Sequence, residues 1–220
     1  MQRSELEAQF VDGCRRLAEK GFLNDACDSV SARIPGTPEM MLATGLKEWR
    51  DVGHAAIRTQ SFTSAESIAA LHGSIYLERP DAGAIVISRS GGARLLAKGG
   101  GYLPPCFDEQ VRHLGRMEAA IGEEYPSRVR IRKAFGTGAN AVLLSERLLC
   151  IGMTCERVVF NTELFEKCAR AYVIASASGI RVGVIPGWVR LIAIRRLLKD
   201  ERKAAASYLN AQFPESIVGY

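Results

Sequence analysis

Residues 71–90, LHGSIYLERPDAGAIVISRS, decide which fold this chain adopts. Leu71, Ile75 and Tyr76 recur at helical spacing, and Pro80 ends a helix because the residue before a proline avoids helical geometry. The run AIVIS (84–88) is short and continuously apolar, which is typical of a strand buried on both faces. A helix that passes through a polar turn into a buried strand is a unit of an α/β fold.

The segments on either side extend this pattern. Helices are predicted from capping boxes at 4–7 and 63–66, at 93–98, at 154–179, and after Pro186 and Gly187. Strands are predicted for SVSAR (29–33), EMMLAT (39–44), RVRIRK (128–133), AVLLS (141–145) and LLCIG (148–152). We expect a mixed sheet with helices on its faces. Residues 1–220 read as a single domain, with 186–220 as a basic amphipathic helical extension that docks on the domain or on a partner subunit.

Composition restricts the class of protein. Hydrophobic residues make up 47% and charged residues 24% of the chain, as in ordinary globular proteins. No apolar run approaches the roughly 20 residues of a membrane span, and the polar start lacks a signal-peptide core, so we expect a cytoplasmic protein. The net charge of +5 suits an anionic ligand, whereas the low aromatic content, 7%, argues against nucleic acid. Only three histidines are present, which limits metal and acid–base chemistry.

Three segments together resemble the class II aldolase/adducin family. Residues 22–45, FLNDACDSVSARIPGTPEMMLATG, are similar to its early loop-and-strand motif, and residues 71–90 to its LH-x-x-IY-x-x-RPD-x-GA-V-V-H-T-H-S motif. Residues 141–158, AVLLSERLLCIGMTCERV, are similar to its LLRNHG-L-L-x-V-G-x-T-x-E-E-A motif. The resemblance covers roughly residues 5–180. It implies a three-layer α/β/α domain, commonly assembled as a tetramer with sites at subunit interfaces.

The resemblance also implies a zinc site, from which the sequence departs. In zinc-binding members three histidines hold the metal, and the matching positions here are Ile87, Arg89 and Glu146. Isoleucine has no donor atom, protonated arginine repels a cation, and one carboxylate alone is too weak. The glutamate of the aldolase branch is replaced by Ile68. We therefore expect no zinc at the family site and no cofactor, while a new metal site elsewhere stays open.

Arg89 and Glu146 are expected to face each other, because ligands of one metal lie within a few ångströms of one another. We predict a salt bridge between them, with the guanidinium in place of the cation. The pair could fill the former metal pocket, or it could leave Arg89 to bind a substrate carboxylate. The candidate substrate-binding residues are Arg89, Ser88, Ser29 and Thr44. The candidate catalytic residues are Glu146, as acid or base, and His72, for which a packed, hydrogen-bonded core position is the alternative.

Three functions remain open from the sequence. The first is a diverged, non-catalytic family member that binds a small anion or a protein partner. The second is a metal-independent lyase that cleaves or decarboxylates a small carboxylated substrate, and the third is a structural module of a larger assembly. An open polar pocket with Arg89 and Glu146 would favour the lyase. A pocket plugged by Ile87 and the ion pair would favour the others, and the resemblance implies a homo-oligomer in each case.

Overall fold

A six-stranded sheet forms the centre of the protein, whose computed structural model describes residues 3–123, 125–136 and 138–214. The strands lie in the order β3 (Arg58–Ser61), β2 (Glu39–Thr44), β1 (Ser29–Arg33), β4 (Ala84–Ser88), β6 (Arg147–Gly152) and β5 (Ala141–Leu144). All neighbouring strands are antiparallel, so the expected mixed pairing is wrong. Tight turns join β1 to β2 and β5 to β6, and a tight turn can connect only antiparallel neighbours. In the described residues, parallel pairing is limited to one isolated bridge between Ile121 and Leu144.

Helices cover both faces of this sheet. They are α1 (Arg3–Glu19), α2 (Ser67–Glu78), α3 (Gly91–Lys98), α4 (Arg128–Phe135), α5 (Cys155–Ala177) and α6 (Gly187–Leu209). One apolar cluster joins α1, α3 and α5 to one sheet face, and a second joins α2 and α4 to the other. The structure therefore has the three-layer α/β/α arrangement that the resemblance implied. Every helix in the described part of the chain is too short or too polar to cross a membrane.

Two helix starts differ from the capping boxes read in the sequence. Helix α1 already includes Ser4, which therefore is not its N-cap. Helix α2 begins at Ser67, beyond the box at 63–66, and its N-cap Glu66 makes no capping hydrogen bond through its side chain. In contrast, the expected start of α5 is confirmed, since the Thr154 side chain accepts a hydrogen bond from the backbone N–H of Arg157 at 3.1 Å.

The segment RVRIRK is a helix, α4, and not the predicted strand. Alternating arginines over six residues fit a strand, but residues four apart also share one face of a helix. Here Arg128 and Arg132 both donate to the carboxylate of Glu78 on α2, at 2.5 and 2.7 Å. The opposite face of α4 buries Ile131 and Phe135 in the apolar cluster. Packing against α2 therefore decides the local conformation.

The RPD turn before β4 forms a buried polar network. The guanidinium of Arg79 donates to both carboxylate oxygens of Asp81, at 2.8 and 2.7 Å. It also donates to the carbonyl oxygen of Ala139 at 2.7 Å, to Asn140 Oδ1 at 2.8 Å and to Glu201 Oε1 at 2.9 Å. Glu201 lies on α6, so this network attaches the C-terminal helix to the rest of the fold.

The glycine that follows the RPD turn completes this attachment. A Cβ atom at Gly83 would overlap the carbonyl oxygen of Met153 and the hydroxyl of Tyr208. The Tyr208 hydroxyl, on α6, donates to that same carbonyl oxygen at 2.8 Å. Only glycine therefore allows α6 to approach this closely.

Candidate functional site

Three neighbouring strands bring several of the predicted site residues together. Ser29 on β1 lies opposite Thr44 on β2 and opposite Ile87 on β4. Side chains at paired positions of a sheet lie on the same face. This face is the one covered by α2 and α4, because Ile87 belongs to the apolar cluster on that side. The structure thus groups Ser29, Thr44 and Ile87 at one end of the sheet.

Ser88 lies on the opposite face of the sheet. It alternates with Ile87 along β4, and Val86, which shares its face, belongs to the cluster formed with α1, α3 and α5. Its hydroxyl is buried and has no hydrogen-bond partner among the described residues. The sheet therefore separates Ser88 from Ser29 and Thr44, with which the sequence had grouped it.

His72 on α2 lies behind Ser29 in a chain of buried hydrogen bonds. Its Nε2 atom is 2.8 Å from the Ser29 hydroxyl, and its Nδ1 atom is 2.7 Å from the Ser31 hydroxyl. The Ser31 hydroxyl in turn lies 2.8 Å from that of Tyr76. Burial, with a smaller effect from the positive charge of Arg147, lowers the pKa of His72 to about 3. A neutral imidazole with both nitrogens engaged fits the core alternative, in which it positions β1, better than the acid–base role.

The loop before β1 is held at the end of β4 by one buried carboxylate. Asp28 accepts the backbone N–H groups of Asn24 at 2.8 Å, of Asp25 at 2.9 Å and of Arg89 at 3.0 Å. Burial raises the pKa of Asp28, and these hydrogen bonds oppose the rise. The bond to Arg89 ties the loop to the residue that follows β4, so Asp25 and Arg89 are held side by side.

Among the described residues, Asp25 is a carboxylate that meets Arg89. Arg89 Nη1 lies 3.5 Å from Asp25 Oδ2, and the pKa of Asp25 is lowered, chiefly by the backbone N–H of Cys27 and further by the charges of Arg89 and Arg147. Glu146 is exposed in the turn between β5 and β6, and within the described residues it forms no ion pair with Arg89. The predicted Arg89–Glu146 salt bridge is therefore wrong.

The turn geometry explains why Glu146 does not reach inward. Ser145 adopts a positive φ of 54°, and the next residue, Glu146, is exposed to solvent. Arg147, the first residue of β6, is instead 1% exposed, and its guanidinium lies 5.4 Å from the centre of the Tyr125 ring. The inward-facing residue of this turn is therefore a second arginine.

Sequence reasoning missed Arg147, although the sequence carries a signal for it. Along β6, Arg147 has the same parity as Leu149 and Ile151, both of which belong to the cluster beneath α2 and α4. Strand alternation therefore predicts that Arg147 shares the face of Ile87. Asp25 was also missed, and nothing in the pattern of its loop singles it out. Among the described residues, the guanidinium groups of Arg89 and Arg147 thus lie near the carboxylate of Asp25.

These side chains do not fit a zinc ion. Ile87 is buried in an apolar cluster and has no donor atom, while Arg89 is a cation held beside Asp25. Glu146, at the third position, is exposed to solvent. A tetrahedral zinc site needs several imidazole, thiolate or carboxylate ligands that converge. Over the described ranges, no three histidine, cysteine, aspartate or glutamate side chains come together in this way.

Comparison with known proteins identifies relatives of this fold. The family described as Class II Aldolase and Adducin N-terminal domain matches residues 8–173. An L-fuculose 1-phosphate aldolase superposes with a TM-score of 0.77 at 18% identity, over 90% of this chain and 98% of its own. The L-fuculose 1-phosphate aldolase from Glaciozyma antarctica PI12 gives 0.74 at 18% identity, over 94% and 88%. An aldolase II superfamily protein from Pseudomonas syringae gives 0.70 at 17%, over 94% and 90%. No curated protein matches the sequence.

Proposed function

This chain belongs to the class II aldolase and adducin family, and from that membership we propose that it is a diverged member that binds a small anionic molecule and does not use the family's zinc chemistry. The proposed site is the end of the sheet where Arg89 and Arg147 lie near Asp25. The observation that carries the proposal is the position of two guanidinium groups: Arg89 matches one of the expected metal-ligand positions, and Arg147 is buried near it. A cation-binding position has become positively charged, and a carboxylate is the group that arginine binds best.

The arrangement does not favour the lyase alternative. Proton transfer requires a titratable group within hydrogen-bond reach of the substrate and a pKa near the working pH. Glu146 is exposed to solvent, and His72 is neutral and buried, with both ring nitrogens hydrogen-bonded to serine hydroxyls. We therefore propose binding without turnover, so that L-fuculose 1-phosphate, the substrate named for two structural relatives, is not cleaved.

Two measurements test this proposal. Calorimetry with acetate, malonate and inorganic phosphate measures anion binding, and metal analysis after equilibration with zinc measures the metal content. We expect one carboxylate bound per chain, about tenfold weaker binding in Arg89→Gln because a charge-assisted hydrogen bond is lost, and zinc well below one per chain. Arg94→Gln is the matched control, since Arg94 is exposed on the neighbouring helix α3.

Two results would overturn the proposal. Equal binding of all probes by the wild type and Arg89→Gln would remove the anion site. One tightly held zinc per chain, lost in a Glu146→Gln variant, would show that the family metal site persists in another form.

A second candidate, assembly with further copies, is favoured by one specific surface. Large apolar side chains are exposed at the end of α5, in the following segment and at the start of α6: Ile174, Ile180, Val184 and Trp188. Several large apolar side chains exposed within one short stretch of chain are typical of an interaction site. We propose a homo-oligomer that covers these residues. Sedimentation velocity of the wild type and of Ile174→Glu would show a smaller species for the variant, and an unchanged sedimentation coefficient would reject this surface.

A further inference from the structure

A cavity of about 380 Å³ lies between the first turns of α6 and residues 102–118. None of its lining residues belongs to the cluster around Arg89. Pockets that bind small organic molecules begin at about 300 Å³ and combine an apolar lining with a few polar groups. The lining here has that composition, with one apolar wall and three charged residues: Tyr102, Val111, Met117, Leu191 and Ile194, then Arg116, Glu118 and Arg190.

The walls of this cavity are held by contacts independent of any ligand. At Gly115, whose φ is +70°, a Cβ atom would overlap the carbonyl oxygen of Gly138, so only glycine fits. The backbone N–H of Ile185 donates to the carbonyl oxygen of Pro105 at 2.8 Å and fixes the approach to α6. A π-helix, Gln110–Leu114, packs beside α6, where Arg112 and Asp200 form an ion pair at 2.9 Å. A preformed cavity binds with little cost of ordering.

One buried polar group in the lining is unsatisfied. The Nε atom of Arg190 is inaccessible to solvent and has no hydrogen-bond partner among the described residues. Among the same described residues, Arg190 forms no ion pair. In contrast, Arg112 pairs with Asp200, and Arg79 pairs with Asp81. Protein atoms enclose Nε, so an outside acceptor would meet the Nη atoms of this half-buried side chain. The charge of Arg190 has no counter-ion among the described residues, and an acceptor that enters through the cavity would supply one.

The charges of the lining define the sign of that acceptor. Two cations, Arg116 and Arg190, against one carboxylate, Glu118, leave a net charge of +1 (2 − 1). An anionic head would meet Arg190, whereas Leu191 and Ile194 on the same helix face offer an apolar surface to the remainder of the molecule. Neither a bare anion nor a neutral apolar compound would use both features.

We propose that this cavity is a second ligand site, which binds an organic acid with an apolar body and pairs its carboxylate with Arg190. The apolar body lies against Val111, Leu191 and Ile194, and the mouth is bordered by Tyr102. This site is independent of the one proposed around Arg89, and its failure would leave that proposal untouched.

Calorimetry on the full chain tests the site with three probes: octanoate, 1-octanol, which has the same chain without the charge, and inorganic phosphate, which has the charge without the chain. We expect one octanoate per chain. Arg190→Met should weaken octanoate binding about tenfold or more, because a charge-assisted hydrogen bond is lost. Octanol and phosphate should bind about tenfold more weakly than octanoate or not at all, since each lacks one of the two contacts.

Three variants control this experiment. Arg195→Met removes an exposed arginine from the same helix and should leave octanoate binding unchanged. Arg89→Gln should also leave it unchanged, because Arg89 belongs to the other site. Tyr102→Glu changes a 45% exposed residue, so folding is preserved, and its carboxylate at the mouth should weaken the binding of octanoate but not of octanol.

The proposal is overturned if Arg190→Met and the wild type bind octanoate equally, or if octanol binds as tightly as octanoate. Several octanoates per chain without saturation would instead indicate adsorption on exposed apolar surface. Sedimentation velocity distinguishes a ligand site from a surface that a second copy of the chain covers. If octanoate dissociates an oligomer of the wild type and binds only to the monomer, the cavity is covered by a second copy of the chain and is not a ligand site in the assembled protein.

Discussion

Two arginines flank β4 and have opposite surroundings. Arg79, before the strand, is 4% exposed and donates to Asp81, Asn140 and Glu201. Arg89, after the strand, has a side chain that is 38% exposed, and its contact with Asp25 measures 3.5 Å. The same residue type thus occurs once as an interior connector and once at the solvent boundary, within one motif.

This difference in burial assigns the two arginines different roles, one in the stability of the fold and the other in ligand recognition. A buried guanidinium with its donors engaged cannot be removed without leaving carboxylates uncompensated in the interior. An arginine at the boundary with solvent contributes little to folding and can exchange its contacts for those of a ligand. On this comparison Arg79 positions α6 and Arg89 contributes to the binding site.

The largest expected effect comes from Arg79→Met. We expect a loss of about 3–5 kcal/mol in the free energy of unfolding, because Asp81 and Glu201 remain as buried, unpaired carboxylates. Urea denaturation followed by circular dichroism measures it, with Arg94→Met as the exposed control. Adding Glu201→Gln to Arg79→Met should recover part of the loss, since one buried charge is removed. A loss below about 1 kcal/mol, the range of surface ion pairs, would contradict the structural role.

An intermediate effect is expected from pH, through His72. The pKa of His72 is about 3 in the folded protein and about 6.5 in the unfolded chain, so below pH 6.5 only the unfolded chain takes up this proton. Stability is therefore complete above pH 6.5 and falls with pH, by about 2 kcal/mol at pH 5 from this residue alone.

The variant His72→Gln isolates the contribution of His72 to the pH dependence of stability. His113, whose pKa burial lowers to about 4, contributes to the wild type and the variant alike. The difference between their unfolding free energies, measured in urea at pH 7.5 and pH 5, should therefore shrink as the pH falls. An equal pH slope in both proteins would show that His72 is accessible to protons in the folded state, which would restore it as an acid–base candidate.

The smallest effect on stability is expected from Arg89→Met. Removal of this boundary arginine should change the free energy of unfolding by at most about 1 kcal/mol, because the ion pair with Asp25 is solvated. The same variant should lose most of its carboxylate binding in calorimetry. A loss of stability as large as that of Arg79→Met would make the two arginines equivalent and would remove the distinction drawn above.

The pattern of apolar residues correctly predicted the strands that lie inside the covered sheet. The runs SVSAR, EMMLAT and AIVIS are strands with the expected bounds, since continuous apolar or small residues fit both faces of a covered sheet. RVRIRK is short and highly charged, and its alternation fits a strand as well as a helix. Its helical state follows from Glu78 on another helix, which no local pattern contains.

The candidate site likewise combines features that the sequence predicts with features that it does not. The motif spacing predicts that Ile87, Arg89 and Glu146 stand at the three histidine positions of zinc-binding members. The contact between Arg89 and Asp25 was not predictable, because Asp25 lies 64 residues away in the chain and reaches Arg89 through the loop held by Asp28. The choice between Glu146 and Arg147 as the inward residue depended on the backbone of the turn at Ser145.

The sequence by itself determined most of the helices and strands and the family to which the chain belongs, because these depend on residue type and local spacing. Only the tertiary structure decided which arginine is interior, which carboxylate it meets and which donor is left without a partner. Ion pairs and hydrogen bonds depend on distances of about 3 Å between residues far apart in the chain, and folding alone sets those distances.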